Sequence, residues 1–446
     1  MQAQTLAAMN PCPDESSPAG DVLAILAIFA LPFGLLYEVN FIGQLYSTEL
    51  VFLILLPFLL FVGNPIDPKA TRATLLLIGI WLLALMVADF YRGTFIGDYL
   101  RGWAKMIFLA INFYVLSRLL TTDQRVIAWF IGWNIAFGIF AYLGNDEWAT
   151  RWKFGLGPAS LHVFAGLLIA TPLYRFRILP AILSLACLGF AVASLFFNAR
   201  NDFLSLFISS LLLAVCSTKV TRRAFASLWD RHSWTLLVAG ILFAYGAGQI
   251  YITGASSGVF GDDAREKLQS QQAVGLDPVL GTIVGGRGEF FSSTAAIGDS
   301  PLMGHGSWPR SAYYFSIYLD AVRTYGSPEA VKEANRTIYF GEPLIPVHSI
   351  FFGAWVEAGI IGAVVWVVII RQIFKTIRSA IDVKSSVDFV ILLVGMSLIW
   401  DIFFSPFGAE RRLEWAFAFV LLSLRAPLAR TRTADAGQST PEEVHA

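Results

Sequence analysis

Arg200, Arg287 and His348, with His305 and Glu357 in support, are the residues whose types and places could do chemistry. Arg200 stands in Phe197-Asn198-Ala199-Arg200-Asn201-Asp202, the whole connection between two apolar runs. An arginine held at such a boundary is costly and by default faces a cavity or a partner. The bland alternative is a snorkelling side chain paired with Asp202. Arg287 follows Gly285-Gly286 and opens a segment that reads as a short helix, closed by Asp299-Ser300-Pro301 and then Gly304-His305-Gly306. An arginine beside a helix N-terminus can bind an anion. His348 stands after Pro346 at the mouth of an apolar run, where a neutral imidazole can accept a proton. Its bland alternative is a capping or core histidine. Glu357 lies inside that run and needs a partner there, an arginine or a backbone donor. Asp401, Glu410, Arg411 and Arg412 add charge at one further turn.

Two arginines and a histidine on one face suit an anionic, phosphorylated, lipid-borne substrate. Guanidinium groups match phosphate oxygens in pairs and can stabilise a leaving diphosphate without a metal. No carboxylate cluster suggests a metal site, and no cofactor is implied. Cys12, Cys187 and Cys216 form no CxxC or Cys/His pair, so neither zinc nor a disulfide framework is expected.

The elements that must position these residues are membrane helices. Of the 446 residues 56% are apolar and 14% charged, and mean hydropathy is +0.63. A soluble domain carries about 25% charged residues. The apolar runs are continuous rather than alternating, which excludes a barrel and leaves an all-α polytopic integral membrane protein. Net charge is zero, so no nucleic acid or other polyanion is implied as a partner.

Apolar runs of about 20 residues predict about twelve transmembrane helices. They lie near 21–39, 46–63, 72–90, 103–120, 126–143, 157–174, 178–197, 202–216, 234–252, 348–370, 388–406 and 411–426. The organisation is then a polar tail over 1–20, spans one to nine over 21–252, one large loop over 253–347, spans ten to twelve over 348–426 and a polar tail over 427–446. With the N-terminus inside, the inner segments hold about twice the Lys and Arg of the short outer loops, which predicts cytoplasmic termini and an extracytoplasmic large loop.

Three segments resemble one known group. Gly286 to Trp308, GRGEFFSSTAAIGDSPLMGHGSW, is similar to a loop segment in which an arginine opens a helix followed by Pro-x-x-Gly-x-Gly. Pro346 to Gly362, PVHSIFFGAWVEAGIIG, resembles a histidine-bearing helix entry ending in Glu-x-Gly-x-x-Gly. Phe196 to Phe207, FFNARNDFLSLF, sits where the group has a Ser-Arg-Gly turn. The group is the O-antigen ligase and polymerase superfamily of bacterial cell envelopes. The sequence departs from it in reading Asn-Ala-Arg-Asn at the turn and in having Ser349 after the histidine, where asparagine is common. Over the first 190 or so residues the likeness is one of hydropathy only.

The resemblance implies a membrane-embedded, C-type-like, inverting and metal-independent glycosyltransferase in the bacterial inner membrane, with its active site facing the periplasm. It would move a glycan from an undecaprenyl-diphosphate-linked donor to an acceptor hydroxyl, on lipid A core for a ligase or on a growing polysaccharide for a polymerase. Arg200 and Arg287 would hold the donor diphosphate and His348 would activate the acceptor, with Glu357 and His305 supporting. The oligomeric state is left open. A secondary transporter or lipid-linked oligosaccharide flippase is the alternative, and would need a cation-lined path through the bundle. A membrane scaffold would leave Glu357 and Arg200 unexplained.

Overall fold

The structure, a computed structural model, describes residues 18–40, 43–61, 65–176, 178–197, 199–271, 277–285, 287–325, 331 and 343–424. The two predicted tails therefore lie wholly or largely outside the described residues, as do Asn198, Gly286 and much of the final stretch of the predicted loop.

The described residues form helices and one small hairpin. In order they are α1 (Pro18–Ala30), a 3-10 turn (Leu31–Leu36), β1 (Glu38–Asn40), β2 (Gln44–Tyr46), α2 (Ser47–Phe61), α3 (Pro68–Arg92), α4 (Ile96–Leu119), α5 (Asp123–Leu143) and α6 (Trp148–Arg151). A π-helical turn (Trp152–Leu156) leads into α7 (Gly157–Ala170), followed by α8 (Leu179–Phe196), α9 (Arg200–Cys216), α10 (Lys219–Arg231) and α11 (Ser233–Ser256). The segment predicted as one large loop carries α12 (Asp262–Gln271), α13 (Pro278–Gly285), α14 (Glu289–Asp299) and α15 (Ala312–Tyr325). Last come α16 (Ile350–Ala380), α17 (Val387–Phe404) and α18 (Arg411–Leu424). The strands β1 and β2 pair antiparallel, Glu38 opposite Tyr46.

Among the described residues seven helices are long and apolar enough to cross a membrane, or eight if α9 and α10, bent by 118°, count as one. The twelve predicted spans are not all of that kind. The first is broken into α1 and a 3-10 turn at Leu31-Pro32-Phe33-Gly34, because proline ends the regular ladder there. The second, α2, has 15 residues with Pro57 inside. The fourth, α4, carries Asp98, Arg101 and Lys105. The twelfth, α18, has 14 residues and opens on Arg411, Arg412 and Glu414.

The lipid-facing side is legible on α3. Leu76, Ile80, Leu83, Val87 and Phe90 recur at steps of three and four and are all exposed. Such a stripe on one helix face suits hydrocarbon, not water. The opposite side of α3 packs inward. Trp81 meets Trp366 edge-on at 5.4 Å, and Trp366 meets Trp415 at 4.8 Å, which ties α3, α16 and α18 together. A second tie is ionic: Arg412 lies 2.6 Å from Glu49, whose carboxylate also accepts from Asn112 Nδ2 and the Tyr46 amide. Glu49 is fully buried, so its charge is tolerable only with these partners.

Candidate functional site

α16 does not run straight. Gly359 has φ 65° and ψ −159°, non-helical values inside the helix. A side chain there would run into the Leu302 carbonyl, so the close approach requires glycine. The break leaves the carbonyls of Val356 and Glu357 free. They accept from the amides of His305 at 2.7 Å and Gly306 at 3.0 Å. Thus the Gly-His-Gly segment and the Glu-x-Gly-x-x-Gly segment, far apart in sequence, form one joint.

That joint accounts for both supporting residues. His305 Nε2 lies 2.8 Å from the Ala296 carbonyl, and its ring meets Tyr314 edge-on at 5.3 Å. Burial lowers its pKa, so the ring is neutral at neutral pH. Glu357 pairs with Lys105 at 2.9 Å, a lysine from α4 in place of the arginine or backbone donor expected for it. Neither His305 nor Glu357 lines the cavity described below. Around them the chain is clasped to α3 and α4. Asp89 accepts from the Ser307 amide and hydroxyl at 2.6 and 2.7 Å, Arg92 bonds the Gly304 carbonyl at 2.9 Å, and Arg310 pairs with Asp98 at 3.1 Å.

With this clasp in place, α14 sets Arg287 and α16 sets His348. Phe290 on α14 meets Phe352 on α16 edge-on at 5.6 Å, and the Ser292 hydroxyl donates to the Pro346 carbonyl at 2.8 Å. Ser349, next to the histidine, caps α16 by accepting from the Phe352 amide at 3.2 Å and donates to the Ile402 carbonyl of α17 at 3.0 Å. The side chain at this position therefore fixes the backbone beside His348 to the neighbouring helix.

Arg200, Arg287 and His348 all line one large cavity of about 2410 Å³. The Arg287 guanidinium lies over Phe404 at 5.6 Å, and Arg200 over Tyr251 at 5.0 Å. Burial, helped by Arg200 and opposed by Glu289, holds the Arg287 pKa below its ordinary value. His348 is pushed down to about 4, first by burial and then by the positive charges of Arg287, Lys153 and Arg411. Its imidazole is therefore neutral at neutral pH, with a lone pair to accept a proton.

The same cavity holds charged groups that spacing alone does not mark. Lys153 reaches it from the π-helical turn and Asp202 from the first turn of α9. One Asp202 oxygen accepts from Asn201 at 2.9 Å; the other is buried with no hydrogen-bond partner among the described residues. Arg411 lines the cavity too, but is covered by Asp401 at 3.0 Å and Glu414 at 2.6 Å. Glu38, Gln44 and Tyr46 of the hairpin add polar groups to another part of the wall. The lining also includes the apolar Leu211, Phe243, Val367, Ile370 and Phe374, together with Arg371.

One side of the cavity is α11, of whose span only 12% is buried. It meets α9 through Phe207 and Phe243, stacked at 5.1 Å. Among the described residues no group of three or more His, Cys, Asp and Glu side chains stands together in a way that could hold a metal ion. No family model matches the chain, and no curated protein matches it.

Proposed function

We propose that the protein is a membrane glycosyltransferase that takes a glycan from a polyprenyl-diphosphate donor and joins it to an acceptor hydroxyl. The observation that carries this reading is one large cavity lined by Arg200, Arg287 and His348 together with many apolar side chains, with the lightly packed α11 along it. A diphosphate suits the arginines, whose paired N–H donors can meet developing negative charge on the leaving group. A prenyl chain suits the apolar side chains. His348, neutral and beside those cations, takes the proton from the acceptor hydroxyl as its oxygen attacks the anomeric carbon. The bond from that carbon to the diphosphate breaks, and the electron pair leaves with the lipid diphosphate. Direct attack of this kind inverts the anomeric centre, and the arginines let it proceed without a metal.

By the resemblance in the motif segments, the donor is an undecaprenyl-diphosphate-linked glycan. The site faces the periplasm of a bacterial inner membrane, and the acceptor is lipid A core or a growing polysaccharide. The transporter or flippase reading needs a polar path through the bundle, whereas the cavity lining is mostly apolar. A sugar crossing there would lose its hydration without polar replacements. The experiment is removal of the protein from its native cell and analysis of the lipid-linked glycans that accumulate. Long chains left on the lipid diphosphate indicate a ligase, and a ladder lacking long chains indicates a polymerase. An unchanged glycan profile would reject the assignment.

A further inference from the structure

The π-helical turn Trp152–Leu156 lies on the cavity wall, with Gly155 at a non-helical φ of 150°. Such turns insert an extra residue into a helix and redirect the side chains that follow. A side chain at Gly155 would clash with the Phe137 ring and Ala141, so the tight approach to α5 requires glycine. The turn is locked from the other side by Trp152. Its indole N–H donates to the Ser194 hydroxyl at 3.2 Å, and its ring lies 4.6 Å from that of Phe197. The Ser194 carbonyl in turn accepts from the Ala199 amide at 2.8 Å, immediately before Arg200. One short chain of contacts thus fixes Lys153 and Arg200 relative to each other.

Lys153 is half-buried and lines the cavity. Among the described residues it makes no ion pair, and its ammonium lies 4.8 Å from the Phe154 ring centre. The charges that act on it are Arg200, Arg287 and Asp202. A cation in such surroundings calls for an anionic partner. Lys153, Arg200 and Arg287 all line the cavity, and a diphosphate brings ionised oxygens that such cations can meet. Arg411 lines it too, but Asp401 and Glu414 cover it.

We propose that Lys153 is a third ligand of the lipid-borne diphosphate, presented by the π-helical turn. This rests on the donor reading above. Lys153 supplies a compact charge that follows either phosphate, whereas the arginines fix orientation through their planar forks.

The test is binding of farnesyl diphosphate to the full-length protein in nanodiscs, with farnesol as the uncharged control. Wild type is expected to bind the diphosphate, and Lys153→Met to weaken it on the order of tenfold, about 1.4 kcal/mol. Lys153→Arg is expected to keep most of the affinity, and farnesol binding to be the same in all three proteins. If wild type does not bind the diphosphate, the donor reading fails. If wild type binds and Lys153→Met binds equally well, the donor reading stands and the assignment of Lys153 is overturned. Parallel loss of farnesol binding in Lys153→Met would also overturn it, since the lysine would then be shaping the cavity. Melting curves of the three proteins keep unfolding apart from lost affinity.

Discussion

Lys105 Nζ stands 2.9 Å from Glu357 Oε2, joining α4 to α16 two residues before the break at Gly359. Both side chains are largely buried, at 11% and 16% exposure. Removing one partner leaves the other as an uncompensated charge. Lys105→Met is expected to lower stability by about 3 kcal/mol, seen as a lower melting temperature. The double variant Lys105→Met, Glu357→Leu should recover most of that loss. A single variant as stable as wild type would mean that water already solvates the pair.

Arg287 is expected to tolerate no substitute in transfer assays. Arg287→Ala should abolish turnover, and Arg287→Lys should remain at least about 100-fold below wild type, since a point charge lacks the fork that grips two oxygens. Chelation with EDTA should leave wild-type turnover intact. Full activity of the lysine variant would reduce the role of Arg287 to simple charge.

The pH dependence should separate the free protein from its donor complex. Burial and the neighbouring cations hold the His348 pKa at about 4, so the imidazole is neutral above that. The limb of kcat/KM belonging to this residue should therefore be flat between about pH 6 and 8, where an unperturbed histidine at 6.5 would titrate. A bound diphosphate cancels the cations that help depress the imidazole, so the acidic limb of kcat should move to higher pH. His348→Ala should lose about 10² to 10⁴ in transfer while still retaining farnesyl diphosphate. An acidic limb near 6.5 in kcat/KM would contradict the buried, cation-flanked setting.

Orientation can be checked at Ser316, an exposed position on α15. In a Ser316→Cys variant with Cys12, Cys187 and Cys216 replaced by alanine, an impermeant maleimide should label intact cells whose outer membrane has been opened. Labelling only after the inner membrane is broken would place the α12–α15 segment in the cytoplasm.

What the sequence discloses follows physical scale. Continuous apolar runs mark α3, α5, α8 and α17 directly, because hydrocarbon demands helices and leaves little other choice. Four of the twelve predicted spans do not meet the length and apolarity of a crossing helix, because hydropathy does not register the break at Pro32 or weigh the charges on α4. Arg200, Arg287 and His348 could be picked out because each sits at a boundary where its type is unexpected. Lys153 could not. In the sequence it is one more outer-loop cation, and only the π-helical turn and Gly155 carry it into the cavity. Glycines at 155 and 157 after a tryptophan were the available hint. His305 and Glu357 stood out for the same reason as the cavity residues, yet neither lines the cavity. One donates its amide to a carbonyl freed at Gly359, and the other meets Lys105.

The sparse packing of α11 bears on supply. A ligand that arrives sideways past this helix never has to enter bulk water, so its concentration is counted as a fraction of the bilayer's molecules, not per litre. Diluting cells or vesicles in buffer would leave the encounter rate unchanged, while diluting the carrier with inert phospholipid would slow it. If the donor is the proposed lipid diphosphate, discharged carrier left in the bilayer competes for the same lateral approach, so the ratio of charged to discharged carrier enters the rate.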